Sequence, residues 1–275
     1  MKRSVLFFYC CLIGFALSAQ VSAPLYVGSR AAGMAGYNLS FDNADAIFGN
    51  VAGFGLSRQL AVAAAAERRY NLTELQQVTA GVVVPNGFGG LGLTINQTGS
   101  KDYREQRVGL GYGREFADGF AMGIRFNYLN LDLFEYGSRA LFSVDLGSVY
   151  EFNEQLAFGV LAQVPFVSEL PEGERLNSVL QFGLHWRPAK QALLVAALEK
   201  DFENFRFRTG FEYLITETIY VRAGVVTDPV EYSLGLGWAF VEHFRLDLSA
   251  QRHIFLGWTP GITMIWTQPE VSSDR

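Results

Sequence analysis

Between residues 204 and 213 the chain reads N-F-R-F-R-T-G-F-E-Y, so that Phe205, Phe207, Phe211 and Tyr213 alternate with Arg206, Arg208, Gly210 and Glu212. Successive side chains of a strand point to opposite faces, which gives this stretch one aromatic face and one charged face. A half-buried strand of a water-soluble sandwich would alternate too, with its charges in water. The pattern recurs through most of the chain with short turns between, and it follows an N-terminus of the secretory type. That combination predicts an all-β fold: a closed antiparallel transmembrane β-barrel, apolar outside and polar inside.

Composition removes the alternatives. Apolar residues make up 49% of the 275, aromatic residues 14% and charged residues only 18%. After the first twenty residues the longest apolar run is L-A-V-A-A-A-A at 60–66, far short of the roughly 18 to 20 residues a helix needs to cross a bilayer. Membrane residence therefore requires strands. Lys2 and Arg3, an apolar run over residues 5–17 and then Ser18-Ala19-Gln20 predict a signal peptide, residues 1–19, cleaved near Ala19. Cys10 and Cys11 fall inside it, which leaves no thiol for a disulfide, a nucleophile or a metal. The formal net charge is −5 with acids and bases interspersed, and nothing resembles a basic footprint for nucleic acid.

Residues 20–58 are rich in small residues and lack alternation. Gly28, Gly33, Gly36, Gly49, Gly53 and Gly55 suit close backbone approach. This stretch is expected to be a plug inside the barrel, with one short helix near 42–48; the alternative is a disordered lead. Phe41, Ile47, Phe48 and Phe54 favour the plug, because such residues seek burial.

Residues 59–268 are expected to form about fourteen strands, and 269–275 a polar tail. In the second strand Val78, Ala80, Val82 and Val84 oppose Gln77, Thr79 and Gly81; in the twelfth Tyr232, Leu234, Leu236, Trp238 and Phe240 oppose Ser233, Gly235, Gly237 and Ala239. The first strand is alanine-rich and the ninth, near 192–200, is apolar on both faces, so neither shows which side is inner. An even count puts both ends on one side of the membrane. Tight turns such as Pro85-Asn86-Gly87 and Ala117-Asp118-Gly119 follow even strands, and longer polar connections, T-G-S-K-D-Y-R-E and the stretch 166–177, follow odd ones. Tyr150, Trp186, Tyr220, Trp238, Phe240 and Trp266 are expected in interfacial girdles.

By parity the lumen collects Arg107, Arg125, Asp145, His185, Arg206, Arg208, Glu212, Arg222, Arg245 and Asp247. Two uses suit a mixed-sign inner face: a network of ion pairs that braces the wall and holds the plug, or an arginine ladder that draws an anion or carboxylate-bearing ligand. Inward glycines either widen the lumen or let the plug approach the wall. For catalysis no pair can be nominated. Asp247 and His253 are six residues apart, roughly 20 Å along a strand. No enzyme activity, cofactor or metal is expected.

The stretches G-S-R-A-A-G-M-A-G (28–36) and D-N-A-D-A-I-F-G-N-V-A-G-F (42–54) resemble the fatty-acid-transporter (FadL) superfamily of outer-membrane barrels, and most of all its PorV/PorQ-like branch of Bacteroidetes. The resemblance implies a fourteen-stranded barrel with an N-terminal plug, whose motif falls on Arg30, Gly33, Gly36, Asn50, Ala52 and Gly53. The family's Asn-Pro-Ala signature matches Asn50, Val51 and Ala52, with valine in place of proline. It implies a protein of the bacterial outer membrane that binds or passes a small hydrophobic or amphipathic molecule. The alternative is a non-transporting partner barrel associated with type IX secretion or surface-protein assembly. The implied partners are outer-membrane lipid, a hydrophobic small molecule, and an envelope or secretion-system protein. Both roles lean on long outer loops in that superfamily, whereas the longest loop here has about a dozen residues.

Overall fold

The computed structural model describes residues 28–133, 137–165, 178–201 and 204–268. The expected signal peptide, the first residues of the expected plug (20–27), the loop 166–177 and the C-terminal tail lie outside the described residues.

Fourteen strands follow one another around a closed antiparallel barrel. They are β1 (Ala61–Arg68), β2 (Gln76–Asn86), β3 (Gly89–Gly99), β4 (Tyr103–Ala117), β5 (Phe120–Leu133), β6 (Gly137–Asn153) and β7 (Leu156–Pro165). The second half is β8 (Val179–Ala189), β9 (Ala192–Lys200), β10 (Phe205–Thr216), β11 (Ile219–Val226), β12 (Glu231–Val241), β13 (Phe244–His253) and β14 (Gly257–Thr267). Each strand pairs with its sequence neighbours, and β1 closes on β14 through Val62 opposite Trp266 and Glu67 opposite Gly261. Closure leaves no strand edge to face hydrocarbon, where each unpaired backbone group would cost several kcal/mol.

The expected alternation is realised. Phe205, Phe207, Phe211 and Tyr213 point outward and stay exposed, while Arg208 and Glu212 point inward and are buried. Leu234 and Leu236 on β12 and Ile262 and Met264 on β14 continue the apolar exterior. A closed barrel that is greasy outside and ionic inside is built for lipid.

Connections after even strands have two residues each: 87–88, 118–119, 154–155, 190–191, 217–218 and 242–243. The connection after β1 is longer and forms two 3-10 turns, Arg69–Asn71 and Thr73–Leu75. The expected loop T-G-S-K-D-Y-R-E is mostly strand, however, because β3 runs to Gly99 and β4 begins at Tyr103. Glu105 explains the correction: it points inward, is buried and pairs with Arg107 at 3.3 Å, so the inner face continues through the polar stretch. Strand length varies from 8 residues in β1 and β11 to 17 in β6.

Residues 28–57 pack against the inner face of the wall. Three one-turn helices punctuate them: α1 (Ser29–Gly33), α2 (Asn43–Ala46) and α3 (Gly53–Leu56). Only the second was expected; the other two are too short to leave a periodic signature. Met34, Tyr37, Leu39 and Phe41 form a buried cluster with Leu161, Leu193, Val195 and Ala197 of the wall. Ala44, Ile47, Phe48, Val51 and Phe54 form another with Ala61, Ala63, Ala65, Val83 and Ile265. These contacts settle both ambiguous strands. The inner faces of β1 and β9 are apolar because they touch this apolar inner segment, which leaves Val62, Leu194 and Leu198 to face outward.

Candidate functional site in the barrel lumen

The inner segment comes close enough to the wall to require glycine. A Cβ built on Gly123 of β5 would lie 2.6 Å from the Val51 carbonyl oxygen, and one on Gly210 of β10 would lie 2.8 Å from the Met34 Cβ. Inward glycines on β3, β4, β6, β7, β8, β11 and β12 meet the segment in the same way. Of the two uses open to them, close approach is the one realised.

Polar contacts then fix the segment. Six charged side chains form a closed ring of alternating sign: Arg30, Asp45, Arg245, Asp247, Arg222 and Glu212. Arg30 grips Glu212 with two bonds, Nε to Oε2 at 2.9 Å and Nη2 to Oε1 at 2.7 Å, and reaches Asp45 at 2.7 Å. Arg222 donates to Glu212 at 2.6 Å and to Asp247 at 2.7 Å, and Arg245 donates to Asp247 at 2.8 Å and to Asp45. Arg30 and Asp45 belong to the inner segment; the other four belong to β10, β11 and β13. Three cations balance three anions, so the ring fastens segment to wall with no net charge. Burial by itself would raise the Asp45 carboxyl, but Arg245 and Arg30 outweigh it and hold the group well below the usual carboxylate range.

Other bonds act alongside the ring. Arg125 pairs with Asp145 at 2.8 Å and donates to the Gly49 carbonyl at 2.9 Å; Arg208 pairs with Glu199 and donates to the Ala35 carbonyl at 2.9 Å. His185 shares a 2.6 Å hydrogen bond with Ser40, which shares one of 2.7 Å with Tyr37. That chain commits the imidazole Nδ1 to docking the segment. Arg206 pairs with Glu199 at 3.3 Å and Asp201 at 3.5 Å.

Among the motif residues, Asn50 is fully buried and its amide reaches the carbonyls of Leu39, Ser148 and Val160, tying the segment to β6 and β7. Its Oδ1 accepts from the Ala52 amide at 3.1 Å. Gly33 lies against Gly235, Gly36 turns the chain at φ 78°, and Gly53 sits where any side chain would strike the Phe41 carbonyl. All ten lumen residues expected from parity face inward. Tyr220 does so as well, a correction to its expected place in the outer girdle: it is paired with Leu214 on the face of Glu212 and Arg222. Sequence reasoning missed Glu199, Asp45 and Glu105. The first was hidden by the double-faced apolarity of β9, the second by the aperiodic segment, the third by a stretch taken for a loop.

The segment divides the lumen. Toward the two-residue turns lie two open spaces of about 520 and 700 Å³, both bordered by Arg30, Glu154 and Arg187. In the opposite half, between residues 36–49 and the strands β2 to β8, lies a chamber of about 40 Å³ walled largely by amides, hydroxyls and paired charges.

No known protein-family model and no curated protein matches the sequence. Among solved structures, the CymD monoaromatic hydrocarbon channel superposes with a TM-score of 0.68 at 11% identity, over 90% of this chain and 99% of that one. The Pseudomonas putida toluene transporter TodX gives 0.66 at 10% identity, over 88% and 98%. A Pseudomonas aeruginosa FadL homologue gives 0.59 at 13% identity, over 90% and 99%. At such identities these are likenesses of fold alone: the closed fourteen-strand barrel is the architecture this chain shares with those structures.

Proposed function

We propose that this protein is a bacterial outer-membrane barrel that binds or passes a small hydrophobic or amphipathic molecule, and that residues 20–58 are the plug that closes it. The observation that carries the reading is the division of the lumen by a segment held through a charge-neutral ring. Displacing that segment joins the open spaces near the two-residue turns to the chamber without stranding net charge on either side. The fold shared with hydrocarbon channels supports the same reading, and the ten inward side chains act as its gate. Deleting residues 20–53 should raise single-channel conductance in planar bilayers several-fold and speed entry of a toluene-sized aromatic into proteoliposomes. Unchanged conductance in a correctly folded deletion would refute it.

One observation favours a second reading, a non-transporting partner barrel of the PorV/PorQ kind serving type IX secretion or surface assembly. The chamber left in the outer half has room for only a few waters at about 40 Å³. That reading requires stoichiometric co-extraction with one envelope protein in mild detergent. A single clean species would speak against it.

A further inference from the structure

The chamber carries an inference about what the barrel takes, and it rests on the reading of the barrel as a passage. Three of its lining residues, Asn38, Arg107 and Asn127, each hold a buried polar atom with no hydrogen-bond partner among the described residues: Oδ1, Nε and Nδ2 respectively. Asn127 and Asn38 are 3% and 9% exposed. They come from β5 and the inner segment, and Arg107 from β4. One acceptor and two donors thus surround one small space. Buried groups of this kind ordinarily have partners, and their convergence marks a place where something polar sits.

The chemistry of the missing partner follows from what is already spent. Arg107 is paired with Glu105 and Arg125 with Asp145, so neither cation is left over for a carboxylate. Asn38 Oδ1 needs a donor, while Asn127 Nδ2 and Arg107 Nε need acceptors. A neutral hydroxyl or primary amide offers both. Two and four residues farther out on the face of Asn127 stand Leu129 and Leu131, and Leu129 is paired across the strands with Leu141. All three are inward and buried. At 3.3 Å or so per residue, this apolar strip begins about 7 Å from the chamber, the length of a benzene ring with its substituent.

We infer that the chamber is a head-group site: it selects small amphipathic molecules with a neutral hydroxyl or amide at one end and an apolar body at the other, in preference to bare hydrocarbons or carboxylates. A hydrocarbon would leave three buried polar atoms unpaired, and a carboxylate would arrive without a counter-charge.

The test uses the full-length mature barrel in lipid nanodiscs and a matched series: toluene, benzyl alcohol, benzamide and benzoate. Benzyl alcohol and benzamide should bind about tenfold tighter than toluene or benzoate, the effect of one buried hydrogen bond made rather than left open. Asn127→Leu should erase that preference while toluene binds as well as before. Equal binding of toluene and benzyl alcohol to the unmodified barrel would overturn the head-group site and leave the passage standing. So would a preference that survives in folded Asn127→Leu. Absence of binding by every member of the series would overturn both. Because the ranking on the unmodified barrel already decides the matter, the inference does not depend on the variant folding.

Discussion

Arg222 is 1% exposed and donates to two carboxylates, Glu212 and Asp247, that are themselves buried. Removing one partner from a buried ionic network leaves uncompensated charge, which costs about 3–5 kcal/mol. Arg222→Met should lower unfolding stability by that order in urea titrations of the reconstituted barrel. Arg58, whose side chain is 68% exposed, is the control: its 2.6 Å pair with Glu115 faces solvent, and Arg58→Met should cost about 1 kcal/mol or less. Asp45 gives the ring a pH signature. Its folded carboxyl is held below the ordinary value by Arg245 and Arg30 against the opposing effect of burial. Its contribution is therefore complete above the unfolded value of about 4 and is lost only as pH falls through the depressed one. A spin label on Asp42→Cys should keep the same mobility from pH 7 to pH 5 and loosen only in strong acid. Adding Arg245→Gln should move that loosening upward in pH, and a midpoint that stays put would show that the ring does not fasten the segment.

At the scale of the element, alternation is readable wherever a strand separates lipid from charge, as in β10, and fades wherever the inner face touches apolar residues of the inner segment. Leu193 and Val195 are indistinguishable in the sequence from the outward Leu194 and Leu198, because nothing there reveals Met34, Tyr37 and Leu39 behind them. The same blind spot concealed Glu199, a lone carboxylate at the end of an apolar run. The ring was half legible: parity placed Glu212, Arg222, Arg245 and Asp247 on one face, but their pairing needs the register of β10 through β13 and the fold of the segment. The chamber was not legible at all, since its walls come from seven strands and become neighbours only on closure. Glycine spacing, by contrast, was visible but ambiguous between a wide lumen and a close approach. Gly123→Val tests the answer. The added side chain must displace the Val51 carbonyl, so stability should fall by about 1–3 kcal/mol and the inner segment should become more accessible to protease. Gly87, with open space around its Cα, should accept alanine with no effect on protease access to the segment.

For the whole molecule, the outward faces show where lipid begins and ends. On β4 and β5 the outward rows Leu110 with Phe126 and Val108 with Tyr128 are apolar, and the next rows outward, Gln106 with Asn130 and Arg104 with Asp132, are polar, with Asn130 half-buried and the other three exposed. The change falls within one row. Strands β4 to β6 therefore rise past the membrane as a polar wall, while β11 to β14 and β1, far shorter, end near its surface. This geometry predicts a graded response to a single charge. Leu236→Arg, placed midway along β12 on the apolar exterior, should destabilise folding into vesicles by about 2–4 kcal/mol; Gln106→Arg, on the same outward side but beyond the apolar rows, should cost about 1 kcal/mol or less. The cost of Leu236→Arg comes from carrying a guanidinium into hydrocarbon. Equal costs at the two positions would mean that lipid does not surround the apolar face, and the proposed passage through the lumen would lose its membrane.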